Sequence, residues 1–349
     1  MRIPTLDGLR GLGSGQWRPI AVVVTVLALS GAGTTAAMAS VGGVSSRAAT
    51  QAADPAGTLT TLPYSFPAGS GGSLVHPLGI SAFKGNVYVS NSPASVLSDL
   101  NGGNTTTVAG NLESTGESGD GGPANLATLW QPTGTAEDSA GDIYIADTED
   151  NVVRKIDAAT GVITRFAGTG RGGASGPGGP ATRTQLDAPQ GVAVNAAGDV
   201  FIADTVNNRV DEVLPNGHLV AFAGDGKAGY RGDGGAAVKA ELTSPVGLAV
   251  DSAGNVYIAD SGNNVIRRVD AKAGTITTVA GDYGTDKANG GRGFSGDGGP
   301  ATASKLSGPS AVAVDNSTGT LYIADTHNSK AAAVTGLAQP GSAPGPVAP

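Results

Sequence analysis

The chain lacks cysteine altogether, and its 349 residues include only three histidines and 4% aromatic residues. Without cysteine there is no disulfide framework and no thiolate site for a metal. The histidines, His76, His218 and His327, are not spaced as the pair that zinc sites use. No Gly-x-Ser-x-Gly nucleophile motif with an accompanying acid and base is evident. The sequence therefore shows no catalytic constellation.

Features needed for nucleic-acid binding are scarce as well. The net charge is −8, and an acidic surface repels phosphate backbones and anionic lipids. Only two tryptophans are present, Trp17 and Trp130, so there is no aromatic platform on which bases would stack. The arginines of the predicted third strands, Arg154, Arg209 and Arg267, are interpreted as solvated charges. We therefore expect no nucleic-acid partner.

The N-terminal residues have the pattern of a secretory signal peptide. Three arginines precede a strongly apolar stretch at residues 20–29, and a run of small residues ends at Ala39. We expect cleavage after Ala39 and a secreted, extracellular protein. Its net charge would become −10, because the three arginines and Asp7 are removed. An uncleaved anchor over residues 20–39 is the alternative, and only then would the protein be bound to a membrane.

Composition divides the rest of the chain into three parts. Residues 40–53 are small and aperiodic and are predicted to be a flexible linker. Residues 339–349 are predicted to be a disordered tail, because their four prolines remove hydrogen-bond donors. Residues 54–338 remain, which is long enough for one large domain.

One short motif recurs along this domain. Tyr-Ile-Ala-Asp or a variant of it starts at intervals of 57, 56 and 65 residues, at residues 144–147, 201–204, 257–260 and 322–325. A fainter copy at residues 88–91 ends in Asn91 instead of Asp. Recurrence at a nearly constant period is the mark of tandem repeats, so the domain contains five units.

Each unit contains up to four short runs typical of β-strands, separated by turn residues, with no helical periodicity. In the third unit the predicted strands are residues 191–195, 199–204, 209–214 and 218–223. The first two runs of a unit are continuously apolar, as expected for strands that are buried on both faces. Four-stranded units repeated radially form a β-propeller, so the predicted fold class is all-β, with one blade per unit.

The fifth unit reaches the Pro-rich tail without a fourth strand of its own. Residues 54–62 resemble the turn and fourth strand of the fourth unit, at residues 270–279. If this N-terminal strand pairs with the fifth unit, it closes the ring and covers its edges. Five blades are therefore predicted, with six as the alternative.

The repeats resemble those of the NHL family. The resemblance is carried by Pro-Val-Gly-Leu-Ala-Val-Asp at residues 245–251, Gly-Asn-Val-Tyr-Ile-Ala-Asp at residues 254–260 and Asn-Asn-Val-Ile-Arg-Arg-Val at residues 263–269. It covers approximately residues 74–334 and implies a propeller, although members of this family mostly have six blades. Some NHL propellers bind RNA through a basic face, and similar propellers include amidating lyases, lactonases and antibiotic-opening lyases.

The aspartates that end the second strands are the first candidate site. Asp147, Asp204, Asp260 and Asp325 would lie at one level of the ring, where carboxylates can hold a divalent cation such as calcium. We favour a structural role, in which each Asp accepts backbone N–H groups of the turn that follows. A single site would not require the motif in every repeat, so no cofactor is assigned.

The long connection after the fourth unit is the second candidate, because loops of this kind carry specificity, and a mobile loop without function is the alternative. Its predicted interaction residues are Asp282, Tyr283, Asp286, Lys287 and Arg292. Gly-Asp-Gly-Gly segments also recur on the connections, at residues 119–122, 232–235 and 296–299. They are interpreted as turns, because one Asp in each segment provides too few oxygen ligands for calcium.

Two functions follow from these features. The leading hypothesis is a secreted, monomeric and non-catalytic recognition or scaffold module that binds a protein, peptide or glycan through the loops of the propeller. The alternative is a propeller enzyme of the lyase or lactonase type, with a metal-assisted site at the mouth of the channel. The fold alone does not separate them, since propellers host many unrelated functions.

Overall fold

The computed structural model describes residues 77–83, 86–100, 105–111, 114–284 and 293–336. These residues form 19 β-strands and several single-turn 3₁₀-helices. None of the described helices is long and apolar enough to cross a membrane. The predicted signal peptide, linker and Pro-rich tail lie outside the described residues.

The strands form five antiparallel sheets, one for each sequence repeat, and strands consecutive in the chain pair within each sheet. The first sheet comprises β1 (Pro77–Phe83), β2 (Asn86–Asn91), β3 (Val96–Asp99) and β4 (Thr106–Ala109). The second comprises β5 (Pro132–Glu137), β6 (Ile143–Asp147), β7 (Val152–Ile156) and β8 (Ile163–Ala167). The third comprises β9 (Pro189–Val194), β10 (Val200–Asp204), β11 (Arg209–Val213) and β12 (Leu219–Ala223).

The fourth sheet comprises β13 (Pro245–Val250), β14 (Val256–Asp260), β15 (Val265–Val269) and β16 (Ile276–Ala280). The fifth has three described strands, β17 (Pro309–Asp315), β18 (Thr320–Asp325) and β19 (Lys330–Val334). The five sheets are arranged as the blades of a β-propeller. The all-β class, the five blades and the strands of the third unit are therefore confirmed, while the predicted closing strand at residues 54–62 lies outside the described residues.

Single-turn 3₁₀-helices occupy two recurrent places. One set lies on the long connections between blades, at Ala124–Leu126, Ala181–Arg183, Ala237–Lys239 and Ala301–Ala303. The other set follows the second strand, at Ser92–Ala94, Thr148–Asp150, Ser261–Asn263 and Thr326–Asn328. The second set ends at residues with a left-handed backbone, such as Asn151 and Asn264, which turns the chain into the third strand.

A hydrophobic core lies between neighbouring blades. One core joins the first and second blades through residues such as Leu97 and Ile145, and another joins the fourth and fifth through Ile266 and Ile323. The second strands are buried on both faces because a core lies on each side of them, which explains their uninterrupted apolar runs. Each long connection also contributes one buried leucine, namely Leu129, Leu186, Leu242 and Leu306.

The first strands of neighbouring blades approach closely at one glycine in each of the first four blades. A Cβ atom built on Gly191 would lie 2.0 Å from the carbonyl oxygen of Val246 in the next blade. Gly79, Gly134 and Gly247 are similarly confined. Among the described strands, β17 and β1 do not share the extensive contacts that the other neighbouring first strands make with one another. Ala311 takes the glycine position in β17.

We expect Gly191→Ala to lower the free energy of unfolding by about 1–3 kcal/mol, because the new methyl group meets fixed backbone of the next blade. Urea unfolding measures the loss. The matched control is Gly179→Ala, whose added Cβ meets nothing within 4 Å and should leave stability unchanged or raise it slightly. Equal urea midpoints of unfolding for Gly191→Ala and Gly179→Ala would contradict the close approach between the first strands of neighbouring blades.

Candidate interaction surface

The aspartates that end the second strands are buried and fix the backbone at one end of the propeller. Asp147, Asp204 and Asp260 are fully buried, and Asp325 is 1% exposed. One carboxylate oxygen of each accepts a backbone N–H at 2.7 Å. We call the residues that donate these bonds the lead-in residues, and they are Trp130, Asp187, Thr243 and Ser307.

The donors of these bonds differ from the sequence-based interpretation, which placed them in the turn after each Asp. The lead-in residue stands 17 or 18 positions before its Asp, on the connection that enters the blade. The reason is the antiparallel register, which sets Pro132 of β5 opposite Asp147 of β6. The residue two positions before Pro132 therefore reaches the carboxylate. The following turn contributes its side chain instead, since Asn263 donates to Asp260 Oδ2 at 2.8 Å.

The three arginines that we expected to be solvated are buried beside these aspartates, Arg154 and Arg267 fully and Arg209 at 8% exposure. Arg154 contacts Asp120 at 2.7 Å and Asp147 at 3.4 Å. Arg267 makes the corresponding contacts with Asp233 and Asp260, at 2.6 Å and 3.4 Å. The expectation of solvent exposure was wrong because the long connection folds over the third strand and covers it. The Asp of the Gly-Asp-Gly-Gly segment is thus an arginine partner.

The third and fifth repeats depart from this arrangement. In the third repeat, Asp211 stands at the arginine position, and Pro177 replaces the Asp of the connection. Arg209 of the same strand instead contacts Asp204 at 2.9 Å and Asp211 at 3.0 Å. In the fifth, Ala332 stands at the arginine position, although Asp297 and Asp325 are both retained. The buried charges are therefore paired by a different arginine in the third repeat, and the described part of the fifth has no equivalent arginine.

Burial raises the pKa values of Asp147, Asp204 and Asp260. Burial raises the pKa of Asp260 to about 6, while Asn263, Thr243 and Arg267 lower it through hydrogen bonds and charge. Burial likewise raises the pKa of Asp147 well above its ordinary value. Each carboxylate is committed to donors from the protein itself. In the described part of the chain, no three His, Cys, Asp or Glu side chains are grouped so as to hold a metal ion.

Replacing Arg267 with Gln should lower the free energy of unfolding by about 3–5 kcal/mol at pH 8, because Asp260 becomes a buried carboxylate without a cation. The loss should be smaller at pH 5, where Asp260 takes up a proton, as its pKa of about 6 already indicates. Urea unfolding at both pH values measures this.

The matched control is Arg268→Gln, one position further along β15, where the partly exposed pair with Asp270 spans 3.5 Å. Removal of such a pair should cost less than about 1 kcal/mol. The buried-charge interpretation would be contradicted if Arg267→Gln and Arg268→Gln lowered the free energy of unfolding by similar amounts. It would also be contradicted if the decrease in Arg267→Gln did not depend on pH.

Each lead-in residue is also held on its carbonyl side. Its oxygen accepts the N–H of the second residue after the aspartate, at 3.2 Å from Glu149 and from Val206, 2.9 Å from Gly262 and 3.0 Å from His327. We call these four the turn residues. Lead-in and turn residues of one blade are therefore joined at the same end of the propeller.

Neighbouring blades are joined at this end as well. The side-chain oxygen of Asn151 accepts the N–H of Ala188 in the next blade at 2.9 Å, and Asn208 binds Ser244 in the same way. Ala188 and Ser244 directly follow lead-in residues and have positive φ angles of 47° and 46°. Positive φ is costly for residues other than glycine, so these bonds support a backbone that would otherwise relax.

The lead-in and turn residues together form what we call the aspartate-end surface. Its backbone hydrogen bonds are the same in the second to fifth blades, but its side chains differ, with Trp, Asp, Thr and Ser at the lead-in positions and Glu, Val, Gly and His at the turn positions. Trp130 is 42% exposed and Val206 is 55% exposed. The surface therefore presents a different chemical group from each blade on a fixed frame.

The predicted interaction loop is described only at its start. Tyr283 stacks on Tyr230 with ring centroids 4.1 Å apart, and Tyr230 in turn lies 4.9 Å from the guanidinium of Arg267. Asp282 accepts the N–H of Gly284 at 2.9 Å. The other three predicted residues, Asp286, Lys287 and Arg292, lie outside the described residues. No sequence pattern pointed to Tyr230.

Comparison with protein-family models finds two matches. The model of the teneurin NHL domain matches residues 225–290, and that of the NHL repeat matches residues 186–210. This chain is an NHL-repeat β-propeller protein. Each matched segment includes a lead-in residue and its aspartate, Thr243 with Asp260 in the first and Asp187 with Asp204 in the second.

Relatives match this chain over only part of their own length. Human teneurin-4 is 32% identical over 228 residues, which are 60% of this chain and 8% of teneurin-4. The protein SUPPRESSOR OF QUENCHING 1, chloroplastic, of Arabidopsis thaliana is 30% identical over 146 residues, 39% of this chain and 13% of that protein. The chain thus spans 8% and 13% of the lengths of these two proteins.

Among solved structures, an auxiliary nutrient binding protein from Bacteroides ovatus matches with a TM-score of 0.52 and 15% identity. The match covers 74% of this chain and 59% of that one. A similarity at this level of identity shows the fold alone.

Proposed function

We propose that this NHL propeller is an exported, non-catalytic recognition module that binds a protein or peptide at its aspartate-end surface. The NHL propeller fold supports a role as a binding or scaffold module. One observation carries the proposal further. Two exposed apolar side chains, Trp130 and Val206, project from lead-in and turn positions whose backbone is held by buried carboxylates.

Exposed aromatic side chains are the usual anchors of protein interfaces. Trp is enriched among the few residues that carry most binding energy, and it contributes most when a partner excludes water from it. Trp130 belongs to the second blade and Val206 to the third, and these blades are joined by the bond from Ala188 to Asn151. A peptide that crosses this junction would contact both apolar groups.

The fixed backbone favours binding for a second reason. Association costs free energy when loops must be ordered, and a frame that is already ordered avoids much of that cost. The lead-in residues are ordered by their own blade's Asp, and the residues that follow them by the preceding blade's Asn. Polar side chains at other turn positions, such as Glu149 and His327, would supply the specific hydrogen bonds.

The proposal is tested with the full chain against immobilised peptide and glycan arrays. We expect saturable binding to peptides, and a loss of affinity of tenfold or more in Trp130→Ala and in Val206→Ala. The matched controls are Leu126→Ala and Val238→Ala, whose side chains are also exposed but lie on the connection helices. These should bind as the unmodified protein does.

A peptide site at the aspartate-end surface would be contradicted if the control variants lost as much affinity as Trp130→Ala and Val206→Ala. Binding confined to glycans would contradict it as well. The same protein preparation also tests the enzyme alternative. A stoichiometric divalent cation that is lost in Asp204→Asn and Asp260→Asn would favour a metal-assisted lyase or lactonase over a recognition module.

A further inference from the structure

One position in the turn after the second strand changes its chemistry between blades. In the third, fourth and fifth blades, the third residue after the buried aspartate is Asn207, Asn263 or Asn328. The side-chain amide of each donates to Oδ2 of that aspartate, at 2.8, 2.8 and 2.7 Å. It also donates to a carbonyl of the long connection, as Asn263 does to Gly229 at 2.7 Å. The amide thus supplies hydrogens to two acceptors at once.

The second blade has Asp150 at this position, so a carboxyl group replaces the amide. Its side chain lies within hydrogen-bonding reach of the Asp147 side chain. An ionised carboxylate only accepts hydrogen bonds, so two ionised side chains here have no hydrogen to share. Oδ2 of Asp150 is buried and has no hydrogen-bond partner among the described residues. Such a contact between two buried acceptors is costly unless a proton lies between them.

The charges around Asp150 favour a bound proton. Glu117 faces it from the long connection, and Glu149 precedes it in the turn. Burial, followed by the charge of Glu117, raises the pKa of Asp150 to about 6, and Arg154 opposes this shift. Burial and the charge of Asp150 likewise raise the pKa of Asp147.

The nearby cations are already engaged by other carboxylates. Arg154 of β7 is shared between Asp120 and Asp147. Arg165 of β8 donates to both carboxylate oxygens of Glu117, at 2.5 and 2.7 Å. The next connection passes the backbone of Asp150 at Gly170, a residue without charge. Ionisation of Asp150 would therefore add a negative charge that these cations do not balance.

We propose that Asp147 and Asp150 share one proton at acidic pH, and that its release as the pH rises toward neutral loosens the aspartate end of the second blade. The O–H group of one carboxyl donates to the carboxylate of the other, in place of the bond from Asn263 to Asp260. When the proton passes to water, two carboxylates face each other and repel.

The shared proton acts on a turn that joins two blades. Asp150 lies between Glu149, whose N–H donates to the Trp130 carbonyl at 3.2 Å, and Asn151. The side chain of Asn151 accepts the N–H of Ala188 in the third blade at 2.9 Å. Repulsion within the carboxyl pair strains the single 3₁₀ turn between them. The junction of the second and third blades is therefore more ordered at acidic pH.

Exchanging the two residue types between blades tests the proposal. Asp150→Asn gives the second blade the amide of the fourth, and Asn263→Asp gives the fourth blade a second carboxyl. An unfolded chain releases a carboxyl proton near pH 4, whereas the folded pair releases it near pH 6. Between pH 5 and pH 8 only the folded state then loses this proton, so the folding equilibrium constant falls.

Urea unfolding at pH 5 and pH 8 gives the folding constant of each variant relative to the unmodified protein. This ratio should rise about three- to tenfold with pH for Asp150→Asn, since a tenfold change corresponds to one pKa unit and water screens a half-buried group. It should fall at least about twofold for Asn263→Asp. The second effect is smaller because the uncharged Tyr230 stands in the fourth blade where Glu117 stands in the second.

The matched control is Asp157→Asn, in the turn between β7 and β8. Hydrogen bonds from Thr160 lower the pKa of Asp157, so this carboxylate is ionised at both pH values. Its ratio should change less than about twofold between pH 5 and pH 8. Amide exchange locates the effect, because protection of Ala188, corrected for the intrinsic rate, should fall at pH 8 in the unmodified protein and fall less in Asp150→Asn.

Three results would overturn the proposal. The first is a ratio for Asp150→Asn that is the same at pH 5 and pH 8. The second is a change of equal size in Asp157→Asn, which would show that the pH dependence is not specific to the pair. The third is an Asn263→Asp variant as stable as the unmodified protein at both pH values, since two carboxyls in this turn would then need no proton.

Discussion

The structure depends on one hydrogen bond that recurs in every fully described blade, from a lead-in N–H to a buried aspartate. The bond from Thr243 to the fully buried Asp260 is 2.7 Å long and joins the start of the first strand to the end of the second. A buried carboxylate is costly unless it is fully bonded, so the lead-in backbone has no equally favourable alternative conformation. Asn263 and Arg267 offset the remaining desolvation cost of Asp260, because both contact its other carboxylate oxygen.

This division of roles explains why the recurrent motif is not itself the functional site. The aspartates fix a frame, and the residues on the frame differ from blade to blade, from Trp130 to Ser307. The frame also extends between blades through Asn151 and Asn208. Recognition, in the function that we propose, then resides where the repeats differ.

The sequence predicted the blades well because apolar runs such as Val200–Asp204 and turn glycines are local signals. It did not predict the burial of Arg154 and Arg267, because their partners Asp120 and Asp233 stand 34 residues earlier and meet them only after the connection has folded over the third strand. The variation at lead-in positions was visible in the sequence, but the register that exposes those positions was not.

The central claim is tested most directly by amide hydrogen exchange in Asp204→Ala, compared with the unmodified protein. The account predicts that the amide of Asp187 exchanges at least about tenfold faster, because it loses its acceptor, while the amide of Thr243 stays protected by Asp260. Unchanged protection of Asp187, or an equal loss at Thr243, would contradict the claim that each aspartate fixes the lead-in residue of its own blade.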